Sequence, residues 1–315
     1  MRFILYIIPA LLLLFSAEVA LSQDEEDSVF KTRLIVQNTD TRSLSLGNST
    51  LADTYFTDAF GINPAIIGFD GQGNWIYGSL NQDWNTNILQ ATLSLPRVSF
   101  GAHSFSTRIS AVNRGPASIR IGDTPDFNPT YTLIQGSLAY AFRIHEHVSL
   151  GLLQNLTYTD HFSDNRITYG ADLGLLYSPD GAVSYAISFR GLGQDVTVFN
   201  DGSGEELQYD LMRQVLEIGA TLRYPEYEKR HFLSFSLSNE KRFGEDGMWY
   251  KGGLEVLPVS FLALRTGIML QTEERKLVPR FGIGAYVSFL RFDYSIGPNE
   301  LNGVRFHQFG LSMQL

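Results

Sequence analysis

The chain contains no cysteine, which excludes disulfides, covalent haem attachment and thiolate metal sites. It also excludes a lipoprotein, because no Cys follows the apolar run near the N-terminus. Charged residues are scarce, at 18% of the 315 positions, against about 25% in ordinary soluble domains. Past the first residues no apolar run reaches the roughly 20 residues of a spanning helix. The net charge of −9 argues against a nucleic-acid partner. Six histidines are scattered without a nucleophile–His–acid signature, so no catalytic residues and no enzyme are expected. No cofactor is implied.

What is present points to export. Arg2 precedes the apolar run Phe3 to Phe15, and Ala20-Leu21-Ser22 offers a small-x-small cleavage site, so residues 1–22 read as a secretory signal peptide. Residues 23–41, with Asp24 to Asp27 at their head, read as an acidic, solvated tail. Aromatics reach 13%.

The most informative stretch runs from Ile167 to Phe189. Ile167, Tyr169, Ala171, Leu173, Leu175 and Tyr177 share one parity, while Thr168, Gly170, Asp172 and Gly174 hold the other. After Ser178-Pro179-Asp180-Gly181 the pattern restarts, with Val183, Tyr185, Ile187 and Phe189 against Ser184, Ala186, Ser188 and Arg190. Side chains alternate across a strand, so this hairpin has an apolar face and a small polar one. A face of Gly, Ser, Ala and an occasional charge suits the lumen of a membrane barrel.

The alternation recurs. Strand-like runs lie near 73–80, 85–95, 97–112, 130–143, 147–159, 166–177, 182–192, 212–224, 231–240, 247–257, 260–271, 278–288, 289–297 and 304–315. The expected fold is all-β: a transmembrane antiparallel barrel of about 14 strands over residues 73–315, in the outer membrane. Turns are expected at Leu95-Pro96, His145-Glu146, Pro179-Asp180-Gly181, Pro225-Glu226 and Leu257-Pro258. Longer polar connections are expected at 113–129, 160–165, 194–211, 241–246 and 272–276.

Residues 42–72 read as a separate plug or hatch segment. Asn63-Pro64-Ala65 is a helix start, with Asn63 as cap and Pro64 in the first position. Arg42-Ser43-Leu44-Ser45-Leu46-Gly47, Leu51-Ala52-Asp53 and Asp58-Ala59-Phe60-Gly61-Ile62-Asn63-Pro64-Ala65 together resemble the N-terminal signature of the PorV/PorQ family. Ala171-Asp172-Leu173-Gly174 followed by Phe189-Arg190-Gly191-Leu192-Gly193 is similar to its mid-barrel hairpin. Gly253-Leu254-Glu255, Leu264-Arg265-Thr266-Gly267, Gly282-Ile283-Gly284 and Phe292-Asp293-Tyr294 are similar to its C-terminal repeats. The resemblance implies a barrel of the FadL-like superfamily with Asp53, Asp58, Asn63, Pro64 and Ala65 in a plug motif. It further implies a non-enzymatic accessory of type IX secretion, whose partners are secretion components or exported proteins. The alternatives are a FadL-like conduit for hydrophobic or amphipathic small molecules, and a structural envelope barrel.

If the apolar parity faces lipid, Arg143, Arg190, Arg223, Lys251, Arg265, Arg280 and Arg291 point inward with Asp172, Glu217, Glu255 and Asp293. This positive bias is compensated by acidic groups of the plug such as Asp53 and Asp58, or by a ligand carboxylate or anionic partner. Cross-strand ion pairs that hold the lumen closed are the plainer reading. His145-Glu146-His147 reads as an exposed turn rather than a metal site, since no third ligand is evident nearby. His161 beside Asp160 and Asp164 reads as loop, as does the acidic stretch 200–206. The aromatics near strand ends read as a membrane girdle.

Overall fold

The computed structural model describes residues 40–54, 60–69, 75–83, 88–114, 131–161, 164–179, 182–200, 205–227, 230–298 and 305–315. The expected signal peptide, residues 23–39 of the expected tail, Asp58 and most of the 113–129 connection lie outside them.

Among the described residues sixteen strands form one antiparallel sheet. They are β1 (Trp75–Asp83), β2 (Ile88–Ser94), β3 (Val98–Phe100), β4 (His103–Arg114), β5 (Tyr131–His145), β6 (Val148–His161), β7 (Asp164–Tyr177) and β8 (Val183–Asn200). The second half holds β9 (Glu205–Leu211), β10 (Val215–Tyr227), β11 (Arg230–Arg242), β12 (Trp249–Val259), β13 (Leu262–Gln271), β14 (Leu277–Val287), β15 (Leu290–Pro298) and β16 (Arg305–Gln314). Pairing of β1 with β16 and of β8 with β10 closes a ring of 14 strands. Among the described pairings β3 joins only β4, and β9 joins only β8. Closure removes the unpaired edges that a sheet cannot carry into hydrocarbon. No helix among the described residues is long and apolar enough to cross a membrane.

Parity decides the faces. Leu264, Ile268 and Leu270 of β13 are exposed, while Ala263, Arg265 and Met269 between them are buried. The same holds for Phe309, Leu311 and Met313 against Gln308 and Ser312 on β16. Large apolar side chains exposed all round the outside and polar ones buried inside invert the soluble pattern and match a lipid-facing barrel. In the hairpin β7–β8, Ile167, Tyr169, Leu173, Leu175 and Tyr177 are exposed, whereas Asp172, Leu176, Ser184 and Ser188 are buried.

Several boundaries differ from those expected. Residues 194–211 are not one long connection: β8 continues to Asn200 and pairs with β9. The run 97–112 divides into β3 and β4 around Gly101, whose φ of 61° suits a tight turn. Pro225-Glu226 and Leu257-Pro258 lie inside β10 and β12 rather than in turns. The 160–165 connection shrinks, because β6 and β7 extend to pair His161 with Asp164. For β6, β7 and β8 a neighbouring strand supplies ladder partners that override weak local β-propensity, whereas Leu257-Pro258 sit in a register shift of the β12–β13 ladder.

Inside the ring, α1 (Thr41–Ser45) and two 3-10 turns (Thr50–Ala52 and Pro64–Gly68) are almost wholly buried. α1 packs against β13–β16, the first 3-10 turn against β8, β10 and β11, and the second against β4–β7. This inner segment therefore follows the wall around most of the lumen. Asp40 and Thr41, which the sequence assigned to the tail, are buried members of it.

Candidate functional site: the lumen and its inner segment

The inner segment is too short in each helical piece to be stable alone, and side chains fasten every piece. Asp40 caps α1, accepting from the backbone N–H groups of Arg42 at 3.1 Å and Ser43 at 3.0 Å. Thr41 donates its N–H to the Tyr77 hydroxyl at 2.7 Å. Asn63 caps the second 3-10 turn through Ala65 N–H at 3.0 Å and donates its amide to the Leu51 carbonyl, also at 3.0 Å. Pro64 occupies the first position of that turn. Phe69 closes the segment, its carbonyl accepting from Arg97 Nη1 at 2.5 Å.

The wall is shaped to take this segment. A methyl group at Gly267 would overlap the backbone of Leu46 and Gly47, and one at Gly151 would overlap that of Pro64 and Ala65. Only glycine lets the two backbones approach so closely.

Two buried ionic networks sit on the charged arc of the lumen. In the first, Arg42 is the hub. Its Nε and Nη2 reach both oxygens of Glu255 on β12 at 2.9 Å, and Nη2 lies 2.7 Å from Asp53. Asp53 also accepts from Arg223 at 2.7 Å. Glu255 accepts from Arg265 at 2.5 Å and lies 2.7 Å from His231 Nε2, while Arg265 continues to Asp293 at 2.6 Å and Asp293 to Arg291 at 2.7 Å. Burial acts to lower the pKa of Arg42, but Asp53 and Glu255 outweigh it and hold the guanidinium well above its ordinary value. In the second network Glu217 and Glu240 each pair with Arg190 at 2.7 Å, and with Lys251 at 3.1 and 2.5 Å.

Asp172 does something else. It lies where β7 and β8 slip by a residue, and it accepts from the Gly191 N–H at 2.8 Å and from Asn155 at 3.2 Å. Gly191 has a φ of 81°, a conformation that glycine tolerates best. Beyond it the β8–β10 ladder stops at Arg190–Val215, and the β8–β9 ladder resumes at Gln194–Leu211. Residues 191–193 and 212–214 thus interrupt the ladder while their backbones stay in contact, the Met212 N–H donating to the Gly193 carbonyl at 3.1 Å. The Met212 thioether lies over Gly170 and Gly193 at this break.

Of the other sequence-predicted lumen residues, Arg280 is fully buried with its guanidinium 4.4 Å from the Phe306 ring centroid, and Arg143 is half-buried near the β5 end. Parity placed all eleven charges on the inner side. It missed Arg108, Glu240 and Arg242, which share the inward parity of their strands, and Arg42, whose short helix carries no period to read. His145, Glu146 and His147 form the β5–β6 turn as expected, but Glu146 supplies the third donor that the sequence reading lacked. The side chain of His161 and the stretch 201–204 lie outside the described residues.

A closed ring of 14 strands with a polar lining, an apolar outer face and a buried N-terminal segment defines the class: a membrane-type antiparallel β-barrel. No family model and no curated protein matches the chain. Solved structures do. The Pseudomonas putida toluene transporter TodX is similar with a TM-score of 0.63 at 12% identity, over 86% of this chain and 95% of that one. The Ralstonia pickettii toluene transporter TbuX aligns with a TM-score of 0.61 at 12% identity, over 87% and 96%. A Pseudomonas aeruginosa FadL homologue gives 0.56 at 11% identity, over 87% and 97%. At such identities the likeness establishes the fold.

Proposed function

We propose that the chain is a non-enzymatic conduit of the outer membrane for hydrophobic or amphipathic small molecules. One observation carries this reading: a barrel with the fold of two toluene transporters has its strand ladder interrupted between β8 and β10, beside the lumen. A hydrophobic solute gains little by crossing a charged lumen end to end, whereas a side exit delivers it into lipid. The inner segment is the plug that keeps water and ions from following, and Asp53, Asn63, Pro64 and Ala65 hold its shape. The lumen charges then serve mainly as cross-strand and wall-to-plug pairs. Cells deleted for the chain should lose uptake of radiolabelled toluene or a long-chain fatty acid, and regain it on complementation.

The secretion-accessory reading stands second. What favours it is the resemblance of the 42–65 motif to the PorV/PorQ signature. Intact hydrophobic uptake together with failure to release surface proteins in the deletion strain would put it first.

A further inference from the structure

The β5–β6 turn has chemistry that the lumen account leaves unused. Alternation along β5 would direct His145 to the same inner side as Arg143. Instead the β5–β6 register shifts by one residue between Arg143 and His145, and His145 is exposed. Such a bulge re-aims a side chain. Here the two imidazole centroids lie 5.3 Å apart, and one ligand atom from each of His145, Glu146 and His147 lies within 4.8 Å of the other two. Glu146 already lies 3.2 Å from His147 Nε2.

We propose that this turn binds one divalent transition-metal ion, zinc or copper(II), through His145, Glu146 and His147. Two imidazoles and a carboxylate are the ligand set of those borderline ions, not of calcium or magnesium, which take oxygen. Ligands on a tetrahedral ion sit roughly 3–3.5 Å apart, given metal–ligand bonds of about 2.0–2.1 Å. Small rotations of exposed side chains close the remaining distance without opening any packing. The other described histidines are differently engaged: His103 with Tyr140, His307 with Tyr294, and His231 with Glu255. The turn lies at an end of the barrel, so the site is open to water and to a partner's ligand.

The test is calorimetric titration of zinc chloride, and separately cupric chloride, into the detergent-solubilised full chain carrying no polyhistidine tag. Saturable one-to-one binding is expected, weakened about tenfold or more in His145→Asn and in His147→Asn, a loss of the size seen when a metal site loses a supporting group. The copper(II) resonance spectrum should show coupling to two imidazole nitrogens, reduced to one in either variant. The heat-modifiable gel shift of an intact barrel verifies that each variant is folded. Absence of saturable binding overturns the proposal, and so does binding unchanged in the folded double variant.

Discussion

Arg42 ties the inner segment to itself and to the barrel, contacting Asp53 in one direction and Glu255 in the other, all three essentially without solvent exposure. Replacing it with Ala takes the shared cation from two buried carboxylates and leaves Asp53 with Arg223, and Glu255 with Arg265 and His231. The cost should therefore reach at most about 3–5 kcal/mol, that of breaking a buried pair. Equilibrium unfolding in guanidinium chloride should show that loss for Arg42→Ala, and Arg42→Lys should recover only part of it because the two-pronged contact with Glu255 needs a guanidinium. Most wall charges were readable because a strand has period two. Arg265 and Glu255 could be assigned inward from their neighbours alone. Arg108 was missed because the run 97–112 hid a hairpin, and Arg42 because a five-residue helix offers no repeat from which to infer a face.

The elements of the inner segment depend on features of the strands they touch. Gly267 on β13 admits the backbone of Leu46 and Gly47. Gly267→Leu should therefore lift α1 and the following turn from the wall, and single-channel recording in planar bilayers should show larger or more frequent openings than in the parent protein. Unchanged currents would mean that the segment is not what seals the lumen. At this scale the sequence was legible where a local rule governs, as at the Asn63-Pro64 start of a helical turn. It was opaque at 194–211. Gly, Asp and Asn in that stretch favour loops, yet β8 persists because β7 and then β9 offer backbone partners on either side. The kink at Gly191 needs Asp172 across the ladder, a pairing of distant residues that no local pattern reveals.

For the whole molecule, the 14-strand ring was foreseeable from parity and strand count, and the fold of FadL-like barrels is what the solved structures share with it. The circuit of the inner segment around the lumen was not, since it is set by tertiary contacts between residues far apart in the chain. The central claim is that hydrophobic solutes leave the lumen through the break between β8 and β10. The lack of cysteine makes it directly testable, because Gly170→Cys with Met212→Cys introduces the chain's only thiols. The Met212 thioether lies 2.8 Å from where a Gly170 side chain would begin, so oxidation should staple the break shut. Uptake of radiolabelled toluene by cells carrying this variant should fall to the level of cells without the chain when oxidised, and return with dithiothreitol. Equal uptake in the oxidised and reduced states, with the crosslink confirmed by mass spectrometry, would contradict the account.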